Sequence, residues 1–209
     1  MTTNEFDAMR AMVRNILESP LTRKRSGDLD WTVQGFGMLR TYLDKDKRFR
    51  LNIWDVALSV PNVSLIHDHP WSFDSWIING KIRNQRFYMV HGDDRRFEYA
   101  DPYDYAVIKT GEGGGGPDGG PDGERGTVYL WPEQIEQLKT GDKYHQDPKE
   151  IHLSAFEDGA VTLNDRTRVG DGEHARVFWP TSTEWVDAMP RRATEMEVLT
   201  TVSKALERW

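Results

Sequence analysis

Near the N-terminus of this chain, apolar residues recur at intervals of three and four: Phe6, Met9, Val13, Ile16 and Leu17. That spacing places them on one stripe of a helix over residues 4–17. Thr3 is a candidate N-cap, Glu5 and Asp7 suit the first turn, and Ser19-Pro20 predicts the end. Residues 21–30 are polar and read as irregular. From Trp31 to about Ser182 the pattern changes to short apolar or alternating runs bounded by turn residues, the mark of strands. The predicted strands include Arg50–Leu58, Val63–His69, Ser75–Ile78, Lys81–Val90, Tyr105–Thr110, Thr127–Leu130, Glu150–Phe156, Ala160–Val169 and Ala175–Trp179. Asn79-Gly80 predicts a hairpin turn, and Glu157-Asp158-Gly159 predicts a second. Pro132–Leu138 reads as one or two helical turns. Met196, Leu199, Val202 and Leu206 mark a closing helix over 194–208.

Many short strands between terminal helices predict an all-β fold, a closed or sandwiched antiparallel barrel. The pattern reads as a single domain: a helical extension over 1–30, a barrel over 31–182 and a second helical extension over 183–209. Gly111–Gly126 is low in complexity and predicts a flexible surface loop. It lacks the Lys-Ser/Thr of a phosphate-binding loop and holds four acids against one arginine.

Composition narrows the chemistry. The 209 residues suffice for one domain with a sizeable core. With 27 basic and 34 acidic residues the net charge is −7, which argues against a broad nucleic-acid surface. There is no cysteine, so neither disulfides nor thiolate metal sites are available. No apolar run has the length of a membrane span, and no signal-peptide pattern opens the chain, so a cytoplasmic protein without membrane contact is expected. Eight Trp, eight Phe and seven Tyr suit a barrel core and the walls of a pocket.

The chemistry centres on Ile66-His67-Asp68-His69-Pro70-Trp71, followed by Asp74, Gly80, Tyr144 and His152. His67 and His69, two apart on a strand, point to one side. A third histidine on another strand, His152, completes one face of a divalent ion. Asp68, between them, points away. Asp74 is a candidate fourth ligand or an acceptor that orients one histidine. Thr162, Asn164, Arg166 and Arg168 share a strand face. If that face looks inward, it offers a hydroxyl, an amide and guanidinium forks suited to an anion.

These residues resemble the two short motifs of the cupin superfamily. The first stands as His67-Asp68-His69, four residues, Asp74, five residues, Gly80; Asp replaces the usual Glu, and the glycine comes one position early. The second runs from Gly141 through Tyr144 and Asp147-Pro148 to His152, with Phe156 in place of the usual Asn. The resemblance implies a single cupin barrel (a double-stranded β-helix or jelly roll). Within the superfamily, the chain is most similar to the cysteine (thiol) dioxygenases, which hold Fe(II) with three histidines, and to uncharacterised bacterial and phage cupins with His-Asp-His-Pro-Trp. By that resemblance Arg40 takes the place of the arginine that grips a substrate carboxylate. The Ser-His-Tyr triad of the dioxygenases would fall at Thr162, Asn164 and Arg166, which do not reproduce it.

The expected function is a mononuclear non-heme metal enzyme, an Fe(II) oxidoreductase of dioxygenase type acting on a small anionic molecule. His67, His69 and His152 hold the metal, with Zn, Ni or Mn as alternatives to iron. Asp74, Tyr144 and Asn164 are the candidate catalytic groups; Arg40, Arg166 and Trp71 are the candidate substrate contacts. The alternative is a non-catalytic barrel that sequesters a small ligand such as a sugar, nucleotide or signalling metabolite, since fold does not settle function. A homodimer is expected by analogy with other cupins.

Overall fold

A computed structural model describes residues 2–22, 29–108, 124–167, 174–184, 186 and 190–209. The strands are β1 (Thr32–Gln34), β2 (Phe36–Tyr42), β3 (Phe49–Ser59), β4 (Ile66–His67), β5 (Ser72–Asn79), β6 (Lys81–Val90), β7 (Asp101–Ile108), β8 (Arg125–Lys139), β9 (Lys143–Gln146), β10 (Ile151–Phe156), β11 (Val161–Thr167), β12 (Ala175–Pro180) and β13 (Arg191–Arg192). They lie between helices α1 (Thr3–Thr22) and α2 (Glu195–Glu207). One sheet of seven strands runs β13-β1-β2-β3-β11-β5-β9. The other six, β10-β4-β12-β7-β8-β6, close on themselves because β6 also pairs with β10. The fold is therefore mostly β, a closed six-stranded barrel joined to a seven-stranded sheet, with a helix at each end of the chain.

The two faces of the seven-stranded sheet differ in kind. Strand side chains alternate, so Leu39, Leu51, Ile53, Val161 and Leu163 leave one face together. They form a core with Val13 and Leu17 of α1 and Val198, Val202 and Ala205 of α2. Burying each such side chain contributes about 1.5–3 kcal/mol, so the helices are held by the sheet's outer face. The residues between them, Arg40, Arg50, Asn52, Thr162 and Asn164, turn the other way and line a cavity. In register, Arg40 lies opposite Asn52 and Asn52 opposite Thr162, while Tyr42, Arg50, Asn164, Ser75 and Tyr144 form a second row. The six-stranded sheet adds its own apolar cluster of Ile66, Leu130, Ile151 and Phe178.

Several elements differ from the sequence expectation. The expected helical turns at Pro132–Leu138 are strand: β8 continues through them, paired with β6 from Lys81–Lys139 to Val90–Tyr129. Pro132 sits opposite Phe87, where the register shifts, and a bulge tolerates a residue without an N–H. The expected hairpin around Glu157-Asp158-Gly159 is a crossing between sheets, because β10 pairs with β4 and β6 while β11 pairs with β3 and β5. Its turn is clasped from outside: Gly159 N donates to Trp54 O at 2.7 Å, Val56 N to the Asp158 carboxylate at 2.9 Å, and Glu157 N to Lys81 O at 2.9 Å. The expected strand over Val63–His69 is confined to Ile66–His67. Helix α1 runs past Ser19-Pro20 to Thr22. Its reciprocal cap is Thr2 rather than Thr3: Thr2 Oγ1 accepts from Glu5 N and the Glu5 carboxylate accepts from Thr2 N. Of the glycine-rich stretch, residues 111–123 lie outside the described residues, as does Arg168; Arg125 and Gly126 open β8.

Candidate metal centre

His67 comes from β4 and His152 from β10, two adjacent antiparallel strands in which these residues are directly opposite. Cross-strand partners on one face approach closely, and the two ring centroids are 4.7 Å apart. His69 lies two residues beyond His67 on the same side, and its ring centroid is 4.7 Å from that of His67. Its backbone is fixed where Lys149 N donates to His69 O at 2.8 Å. One potential ligand atom from each of the three rings lies within 4.8 Å of the others. His69 Nε2 and His152 Nε2 are 3.1 Å apart. Two donors at right angles, each about 2.1 Å from a shared ion, would be about 3 Å apart.

The surrounding bonds set the tautomers. His67 Nδ1 is 2.9 Å from Leu65 O, an acceptor only, so Nδ1 carries the proton and Nε2 presents its lone pair. His152 Nδ1 is 3.1 Å from Asn84 Oδ1, which fixes the same assignment. Asn84 is in turn held by Ser154 Oγ, donating at 3.3 Å, and by its own donation to Glu136 at 3.2 Å. Burial lowers the pKa of His67, and lowers those of His69 and His152 well below the ordinary histidine value. Mutual repulsion adds to this for His69 and His152. Uncharged imidazoles are what a divalent cation requires. The set therefore fits an ion of imidazole preference, such as Fe, Zn or Ni.

Facing the triad is a cavity of about 190 Å³. Trp71 lines it, stacked on His69 at 5.6 Å, and the Arg166 guanidinium, which is not among the lining residues, lies 4.0 Å from the Trp71 ring centroid. Arg166 also donates to the Tyr42 hydroxyl at 2.8 Å. Phe36 covers His67 from another side at 5.8 Å. Asn164 lines the cavity; its Oδ1 takes Ser75 Oγ at 3.0 Å, which leaves its amide N–H groups as donors. Tyr144 is half-buried beside Ser75 and Ser154, and desolvation pushes its phenol above the usual value. Arg40 lies half-buried in the same wall, donates to Thr32 Oγ1 at 3.1 Å, and is pushed down to about 10, chiefly by desolvation.

The structure thus brings His67, His69, His152, Trp71, Tyr144, Asn164 and Arg40 around one cavity, while Arg166 reaches it only through Trp71 and Tyr42. It does not bring Asp74 there. Phe73 and Ser75 face inward, so Asp74 between them faces out, where it pairs with Lys143 at 2.8 Å and His145 at 2.9 Å. Asp68 lines the cavity, but its carboxylate is bound to Arg176 N and Nε, each at 2.6 Å. Three residues that the sequence reading passed over are Asn84, Arg50 and Asn52, the last in the cavity wall beside Thr162. Asn84 holds His152, and no motif marks it. Arg50 lies in the cavity wall, 7% exposed, and its alternation with Leu51 and Ile53 was the available signal.

No family profile matches the chain, and no curated protein matches it. Among solved structures, the crystal structure of Drosophila melanogaster CENP-C bound to CAL1 aligns over 77% of this chain and 99% of that one, at 10% identity and a TM-score of 0.39. A likeness of that size carries no argument about function. A β-barrel with a triad of histidines is compatible with a cupin. No helix among the described residues is long and apolar enough to cross a membrane.

Proposed function

We propose that this chain is a cupin that binds one divalent metal, iron by preference, through His67, His69 and His152, and acts as a dioxygenase-like enzyme on a small anionic molecule. The observation that carries the reading is the convergence of three imidazoles, His69 and His152 buried and His67 half-buried, with Nδ1 of His67 and of His152 bonded so that the lone pair falls on Nε2. A bound divalent ion would supply Lewis acidity and, as iron, one-electron chemistry with O₂. The chain's own groups do the rest. Arg40 takes the substrate's negative group, and Arg166 braces Trp71, which closes the wall beside His69. Tyr144, kept protonated by desolvation, donates a hydrogen bond, and the Asn164 amide is a second donor. Phe36 and Trp71 exclude water from the same space. Asp74 is given no part, because it faces outward.

One observation favours the second reading, a barrel that sequesters its ligand. Among the described residues lining the cavity, the sole carboxylate is Asp68, already committed to Arg176, so no acidic side chain is free to move a proton. The test combines elemental analysis of the purified protein with oxygen uptake on candidate small acids and thiols. One equivalent of metal, lost in His152→Ala, with substrate-dependent oxygen uptake supports the enzyme. Metal without turnover, and a ligand recovered unchanged, supports sequestration. No metal at the triad overturns both metal-dependent readings.

A further inference from the structure

Arg50 belongs to none of the roles assigned so far. Its side chain lines the cavity at 7% exposure, and its Nε is enclosed without a hydrogen-bond partner. Among the described residues no carboxylate pairs with it. A buried guanidinium without a counter-charge is unfavourable unless something binds there. The cavity's own acid, Asp68, is bound to Arg176 and does not compensate it.

The neighbourhood adds positive charge. Arg40 lines the same wall one row away, since Arg40 lies opposite Asn52 and Arg50 opposite Tyr42. Its guanidinium is steered by Thr32 Oγ1 and, with the Gln34 amide turned, by the Gln34 carbonyl at 3.1 Å. Tyr42 stands among Arg40, Arg50 and Arg166: burial pushes its phenol up, yet these three cations and Lys47 bring it below the usual value. The imidazoles feel the same field, and Arg50 acts on all three. A divalent ion on the triad adds two more positive charges. Size sets the other limit. A cavity of about 190 Å³ is close to the roughly 150 Å³ of an engineered cavity that admits benzene, a size suited to a compact ligand.

We propose that the ligand of this cavity is a compact dianion, a short dicarboxylate or a small phosphate monoester, whose charged groups are seated on Arg50 and Arg40. This rests on the cavity being a small-ligand site, as the function above requires, and narrows the ligand to a charge and a size. Arg50 is the anchor of that selectivity: it attracts the second charge, which a monocarboxylate of equal length does not carry.

The test uses the full chain, stripped of metal with a chelator, and two pairs of probes: succinate against butyrate, matched in length, and glycerol 3-phosphate against glycerol, which lacks the phosphate. Calorimetry is expected to show at least one dianion binding tenfold or more tightly than its partner, and the tighter of the two dianions identifies a dicarboxylate or a phosphate ligand. Arg50→Gln is expected to lose that advantage by tenfold or more while melting at a higher temperature than the unliganded parent, because an uncompensated buried charge is gone. Arg50→Lys, which keeps the charge, is expected to retain part of the preference and serves if Arg50→Gln does not fold. Equal binding within both pairs, no binding of any probe, or unchanged dianion affinity in a folded Arg50 variant overturns the proposal. A separate metal titration keeps the two readings apart. Metal bound at the triad without dianion selectivity refutes this inference alone, and dianion selectivity in a protein that takes up no metal in that titration refutes the metal centre alone.

Discussion

His152 presents Nε2 to the other two imidazoles because Asn84 Oδ1 holds its Nδ1–H. Asn84→Leu removes that acceptor and leaves a buried N–H without a partner. Metal affinity at the triad is expected to fall about 10- to 100-fold, read by competition titration with a chromophoric chelator, while the circular dichroism spectrum stays that of the parent. Unchanged affinity would show that Asn84 does not set the ring. At this scale the sequence was uneven. His67 and His69 were legible because period-two alternation survives even though His69 lies just beyond β4. Asn84 was not, since its value comes from a strand 68 positions away. Arg50 and Asn52 were passed over for another reason. Polar residues alternating with Leu51 and Ile53 look like a solvent face, whereas here the apolar face meets the helices and the polar face meets the lumen.

The elements carry their own tests. Thr194 and Glu197 form a capping box at the start of α2, and Glu197 also pairs with Arg191 of β13. The Arg191 guanidinium, with the Thr194 backbone and hydroxyl, holds the Glu197 carboxyl down to about 2, against about 4.5 when free. A depressed carboxyl stabilises the fold above its unfolded value and loses that contribution as pH falls through the folded one. Glu197→Ala is therefore expected to lower the melting temperature at pH 7, with the gap to the parent narrowing between about pH 4.5 and pH 2. A gap independent of pH would contradict the ion pair and cap as its source. Gly80 tests the β5–β6 turn. Its φ is +85°, and a Cβ there would meet Ala160 Cα and Cβ at 3.0 Å. Gly80→Ala is expected to cost more than about 1 kcal/mol in a urea titration, through both the left-handed backbone and the contact with the crossing turn. The Asn-Gly signal made this hairpin readable from sequence. The turn at Glu157-Asp158-Gly159 carried a similar signal but crosses between sheets, because its partners are Trp54, Val56 and Lys81, all distant in the chain. The strand at Pro132–Leu138 was hidden likewise, its register being set by β6.

For the whole molecule, apolar packing and polar chemistry are assigned to opposite sides of one sheet. The cores under α1 and α2 and within the six-stranded sheet supply stability, which leaves the space between the sheets free for imidazoles, amides and guanidinium groups. A lumen of this kind is tolerable only when its groups are paired with one another or with something bound. The barrel class was legible from the number of short strands and the terminal helices. The division between an apolar exterior seam and a polar interior was not, because alternation reports two faces without saying which is inside. The most direct measurement is anomalous diffraction from crystals of the metal-loaded protein, recorded on both sides of the metal's absorption edge. We expect one peak, about 2.0–2.3 Å from a ring nitrogen of each of His67, His69 and His152. A map with no peak among these three rings, or with metal bound elsewhere and the triad unchanged, would contradict the metal centre on which the account stands.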